Sequence, residues 1–77
     1  MNVTETVCQQ ARRLFTPADA EEIIAAFSRT ELPLIANNGE RVCLAILQLS
    51  QGDKERFHQE LQQAKIDWRD TLVAAGF

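Results

Sequence analysis

Seventy-seven residues carrying a formal charge of −3 and a pI near 5.0 suffice for one small domain and are too few for two hydrophobic cores. A composition of 45% hydrophobic and 25% charged residues predicts a folded chain, and the scattering of the eight lysines and arginines argues against a phosphate-backbone or anionic-membrane partner. The longest apolar run, Val42 to Leu47, is far short of the roughly 17 to 25 residues that cross a bilayer, and Met1 to Arg13 shows no charged-then-apolar leader, so a cytoplasmic location is expected.

Val3, Val7, Ala11 and Leu14 recur at steps of four, four and three, which predicts a first helix with these residues on its buried face. Asn2 is the expected N-cap with Glu5 as its capping-box partner, and Arg12 and Arg13 suit the negative helix end. The tripeptide Asn2-Val3-Thr4 matches a glycosylation acceptor, a pattern that arises often by chance and carries no weight without a secretory route.

Thr16-Pro17-Ala18-Asp19 predicts the start of a second helix: a hydroxyl cap, a proline where no helical hydrogen bond is lost, and a carboxylate at the positive end. Ala20, Ile23, Ile24 and Phe27 then give an apolar face ending near Ser28. Residues 28–39 read as a connection, with Pro33 disfavouring helix and Asn37-Asn38-Gly39 a turn; Leu32, Leu34 and Ile35 are expected to fold back onto the core. A β-hairpin pairing Leu32–Ala36 with Arg41–Ile46 is the competing reading.

Helix is preferred for Glu40–Gln51 because Val42, Ala45, Ile46 and Leu49 keep a helical period over a segment longer than the usual strand of about 5 to 6 residues. With Cys43, Leu44 and Leu47 it is apolar nearly all round, which predicts a central helix covered on several sides. Gly52 should stop it and Asp53 cap the next.

Phe57, Leu61, Ala64, Trp68, Leu72 and Ala75 fall within roughly an 80° sector of one helix, so a continuous Asp53–Ala75 helix is slightly preferred over a break near Ile66 and Asp67, where Asp67 would cap a new one. Gly76 suits a left-handed C-terminal cap that sets Phe77 near Leu72. The expected fold is all-α: a small orthogonal bundle of four helices, five if the last one breaks, around the central helix 40–51, in a single domain over residues 1–77.

Chemistry-bearing groups are sparse. Cys8 and Cys43 lie far apart in apolar helical patterns and read as small buried hydrophobes, with a disulfide or a reactive thiol as the lesser alternatives. His58, the only histidine, falls among Lys54, Gln59 and Gln62 on a solvated face, and Arg56 and Glu60 are spaced for a surface ion pair. Asp67 and Asp70 flank Arg69 and could share one side of a helix, but two carboxylates make a poor acid/base or metal site. No phosphate loop, nucleophile elbow or histidine pair occurs, so no catalytic set, cofactor site or metal site is predicted. A helix-turn-helix reading of Val42–Lys65, with Gln59, Gln62 and Gln63 reaching bases, lacks the basic stripe that DNA requires.

Ile66 and Val73 stand seven residues apart and opposite the apolar stripe if the helix is continuous, whereas a break and rotation would bury them. They and the loop residues Leu34 and Ile35 are the expected partner surface.

The segment Arg41-Val42-Cys43-Leu44-Ala45-Ile46-Leu47-Gln48-Leu49-Ser50-Gln51-Gly52-Asp53, followed by Asp67-Trp68-Arg69-Asp70, resembles a group of short uncharacterised bacterial proteins with an "RVxxAILxLSxGD … DWRD" arrangement. The resemblance covers about half the chain and implies a bacterial source without an activity or site residues. The expected function is a non-enzymatic protein-interaction module acting on a partner protein or a second copy. The alternative is a small-molecule or divalent-metal activity centred on Asp67, Asp70 and His58.

Overall fold

The computed structural model describes residues 3–31 and 39–77. It contains four helices, α1 (Glu5–Leu14), α2 (Pro17–Arg29), α3 (Gly39–Ser50) and α4 (Lys54–Ala75), and no strand among the described residues. The all-α bundle expected from the sequence is what forms. Arg41–Ile46 lies inside α3, so the hairpin loses one of its two arms; the other arm, Leu32–Ala36, lies outside the described residues, as do Leu34 and Ile35.

Local signals place most helix ends. Thr16 caps α2 by accepting from the Asp19 backbone N–H at 3.3 Å, with Pro17 in the first turn. Asp53 caps α4, its Oδ1 accepting from Glu55 N at 2.9 Å and Arg56 N at 3.4 Å. The cap of α1 differs from the expectation. Thr4, not Asn2, holds that position, accepting from Val7 N at 3.4 Å, and its own hydroxyl donates to Glu40 Oε1 at 2.6 Å.

That last bond joins the start of α1 to the start of α3. At the other end, a Cβ built on Gly52, just past α3, would come within 3.0 Å of the Leu14 carbonyl oxygen that ends α1. The two helices therefore run side by side in the same direction. Gly52 also has φ +78°, so both its backbone conformation and this close approach require glycine.

Val7, Ala11 and Phe15 of the first segment, Ala20, Ile23, Ala26 and Phe27 of α2, and Phe57, Leu61 and Ala64 of α4 close around Val42, Cys43, Ile46 and Leu47 of α3. Phe15 takes the buried place expected of Leu14, which is left 37% exposed, because the chain leaves helical geometry after Leu14 and the next side chain turns inward. Phe27 and Phe57 meet edge to face at 5.2 Å and tie α2 to α4. At the surface the same helices are joined by Lys54, whose ammonium lies 3.2 Å from Glu22 and 3.6 Å from Asp19.

α4 is not straight. Asp67 has φ −153° and ψ 97°, and its Oδ1 accepts from Arg69 N at 3.0 Å, so it ends one helical limb (residues 54–66) and caps another (residues 68–75). A straight helix of this length would span about 33 Å, against an extent of 30 Å along the molecule's longest principal axis. Gln48 Nε2, near the end of α3 from which α4 departs, donates to Ala75 O at 2.8 Å, so the second limb must fold back along α3. The slightly preferred continuous helix is thus replaced by the capped break. Gly76, φ +81°, closes the limb, with Phe77 N donating to Leu72 O at 2.9 Å as the left-handed cap requires.

Candidate functional site

The corner at Asp67 sets the fate of the residues singled out for function. Ile66 and Val73 remain 79% and 77% exposed despite the break, whereas a break was expected to bury them. The second limb instead turns Thr71 and Ala75 inward, leaving Arg69 and Val73, one turn apart, on its outer face. Trp68 is half-buried against the core, and the Arg69 guanidinium lies 5.5 Å from the centre of its ring.

The carboxylates and the histidine singled out in the sequence have the following places. Asp67 is occupied as a helix cap, and His58 sits on the first limb of α4, its Nε2 3.9 Å from Glu22 of α2 and its ring beside Phe57. Among the described residues no group of three or more His, Cys, Asp or Glu side chains is placed to hold a metal ion. Arg56 and Glu60 form the expected surface pair at 3.6 Å.

Cys8 is half-buried and Cys43 is buried in the core. Burial pushes the Cys43 thiol up to about 12 from its ordinary 9.0, with the nearby Glu40 carboxylate adding to the effect. Cys43 is therefore a packed thiol without nucleophilic character at neutral pH. Because its folded-state pKa lies above the unfolded one, its contribution to stability is complete below pH 9 and is lost as pH rises toward 12. The expected outcome is a melting temperature that falls above pH 9, with a shallower fall in Cys43→Ala. Iodoacetamide at pH 8 should label Cys8 alone in the native chain and both cysteines in denaturant, which mass spectrometry reads directly.

No periodicity or motif in the sequence points to the groove between α1 and α3. The helix, apolar nearly all round, was expected to be covered on several sides, and one stripe of it is left open: Leu44 is only half-buried and Gln48 and Gln51 are exposed. These three form a stripe at helical spacing that faces Thr6, Gln10 and Leu14 of α1, themselves four residues apart. Phe77, carried there by the returning limb, forms the third wall of a groove of about 520 Å³. Its floor is apolar, its margins are neutral amides and a hydroxyl, and no ionisable side chain lines it among the described residues.

No family model, curated protein or solved structure matches the chain. Among the described residues no helix is long and apolar enough to cross a membrane.

Proposed function

We propose that the chain is a non-enzymatic protein-interaction module whose contact surface is the outer face of the Asp67 corner, formed by Ile66, Arg69 and Val73. One observation carries the reading: two branched aliphatic side chains stand 79% and 77% exposed, about twice the exposure of Leu14 or Phe77. Covering a side chain of this type is worth roughly 1.5 to 3 kcal/mol, and two in one interface make a usable anchor.

A second copy of the chain is the partner this surface suits. Lys65, Arg69 and Asp70 are all exposed around the corner, so a two-fold arrangement has cations and a carboxylate available for pairing across the contact. Small domains with little core also gain most from association.

Sedimentation equilibrium from micromolar to millimolar concentration tests this. A reversible dimer is expected, and Ile66→Asp with Val73→Asp should return it to monomer with the melting temperature of the monomer unchanged, since neither side chain is part of the core. A wild-type chain that stays monomeric at millimolar concentration would overturn the second copy as partner. A dimer indifferent to both substitutions would overturn the surface.

A further inference from the structure

We propose that the groove between α1, α3 and Phe77 is a binding site for a neutral, largely apolar small molecule carrying a hydrogen-bond donor. The inference goes beyond the interaction surface at Asp67 and rests on different residues.

Size selects the class of occupant. The groove volume of about 520 Å³ falls within the usual range of small-molecule sites, roughly 300 to 1,000 Å³. Charge selects further. Leu14, Leu44, Leu47 and Phe77 supply apolar contact, the polar side chains Thr6, Gln10, Gln48 and Gln51 are neutral, and a charged ligand would lose hydration with no charged side chain among the described lining residues to replace it.

The polar margin is partly organised in advance. Gln48 spends its Nε2 donor on the Ala75 carbonyl at 2.8 Å, which fixes the amide plane at the groove and leaves Oε1 to accept from a ligand N–H or O–H. Phe77 is held by the backbone bond from its own N–H to Leu72 O, and the residue stays 43% exposed. The corner at Asp67 thereby builds the third wall, since a straight α4 would carry Phe77 away from α3.

N-phenyl-1-naphthylamine, a neutral aromatic amine that brightens in apolar surroundings, is a suitable probe, with its anionic sulfonate counterpart as comparison. Saturable one-to-one binding of the amine is expected, at least about tenfold tighter than that of the sulfonate. Thr6→Trp, which fills the groove from an exposed position, should abolish it, and Gln48→Ala should weaken it about tenfold through loss of the fixed acceptor. Circular dichroism melts establish that both variants fold, and Val73→Asp should bind as wild type does. The proposal is overturned if no saturable binding occurs, if the two dyes bind equally, or if folded Thr6→Trp binds unchanged. It is also overturned if the amine competes with self-association, which would make a second copy the occupant of the groove.

Discussion

Phe57→Ala is expected to leave the chain largely unfolded at 37 °C. Phe57 is fully buried, joins the first limb of α4 to α2 through its edge-to-face contact with Phe27, and belongs to the single core cluster. Removing a buried phenylalanine costs about 3 to 5 kcal/mol through lost transfer free energy and the cavity left behind. A core in a chain of this length seldom supplies more than about 3 to 5 kcal/mol in total. The two quantities are equal, so the substitution removes essentially all of the stability. Far-ultraviolet circular dichroism at 37 °C checks it, and a cooperative melt within a few degrees of wild type would refute the arrangement. Phe57→Leu, which keeps most of the volume, should fold, and pairing it with Phe27→Leu isolates an aromatic coupling of about 0.5 to 1.5 kcal/mol.

Thr71→Val should move stability in the opposite direction. Thr71 is 2% exposed, and its Oγ1 has no hydrogen-bond partner among the described residues. The other buried hydroxyls are satisfied within their own turns: Thr30 donates to Ala26 O at 2.7 Å and Ser50 to Ile46 O at 2.6 Å. A buried hydroxyl without a partner costs roughly 1 to 3 kcal/mol, and valine replaces it by a methyl group of nearly the same shape. At about 4 to 8 °C for each kcal/mol in a chain of this size, the melting temperature should rise by several degrees or more. Thr30→Val and Ser50→Ala should lower it. A fall in the Thr71→Val variant would mean that the hydroxyl is satisfied and would move the inner face of the second limb away from Thr71.

Thr71 also explains why the interior was only partly legible. A continuous helix puts Phe57, Leu61, Ala64, Trp68, Leu72 and Ala75 in roughly an 80° sector, and Thr71, a polar residue, lies about 20° outside its edge, next to Ala64. Phe57, Leu61, Ala64 and Ala75 are buried as the spacing implies, but Trp68 and Leu72 are only partly covered while Thr71 is enclosed. The change of phase begins at Asp67, a residue able to continue a helix or to cap one. Its φ of −153° and the carboxylate bond to Arg69 N show which use the fold makes of it.

The candidate sites divide in the same way. Ile66 and Val73 were visible as apolar residues off the main stripe, and their exposure survives the break that was expected to hide them. The groove was not visible, because its walls come from Thr6, Leu44 and Phe77, residues 38 and 33 positions apart that meet only after α4 turns back. No periodicity links them. The amide of Gln48 reads in the sequence as an ordinary surface side chain, and only its bond to Ala75 gives it a fixed direction.

What the sequence by itself determined is the set of features decided within one turn of chain. Thr16-Pro17 starts α2, Asp53 starts α4, Gly52 and Gly76 end helices in left-handed geometry, and the apolar density of residues 42–47 makes α3 the central helix. Capping and helical period depend on neighbours three or four residues away, so they can be read in order. Only the tertiary structure decided that Asp67 is a corner, that Phe15 rather than Leu14 enters the core, and that one stripe of α3 is left open. Those outcomes depend on which surfaces compete for the same apolar partner. In a chain this small, folding the second limb back covers more of α3 than extending it would, and the stripe it fails to cover becomes the groove.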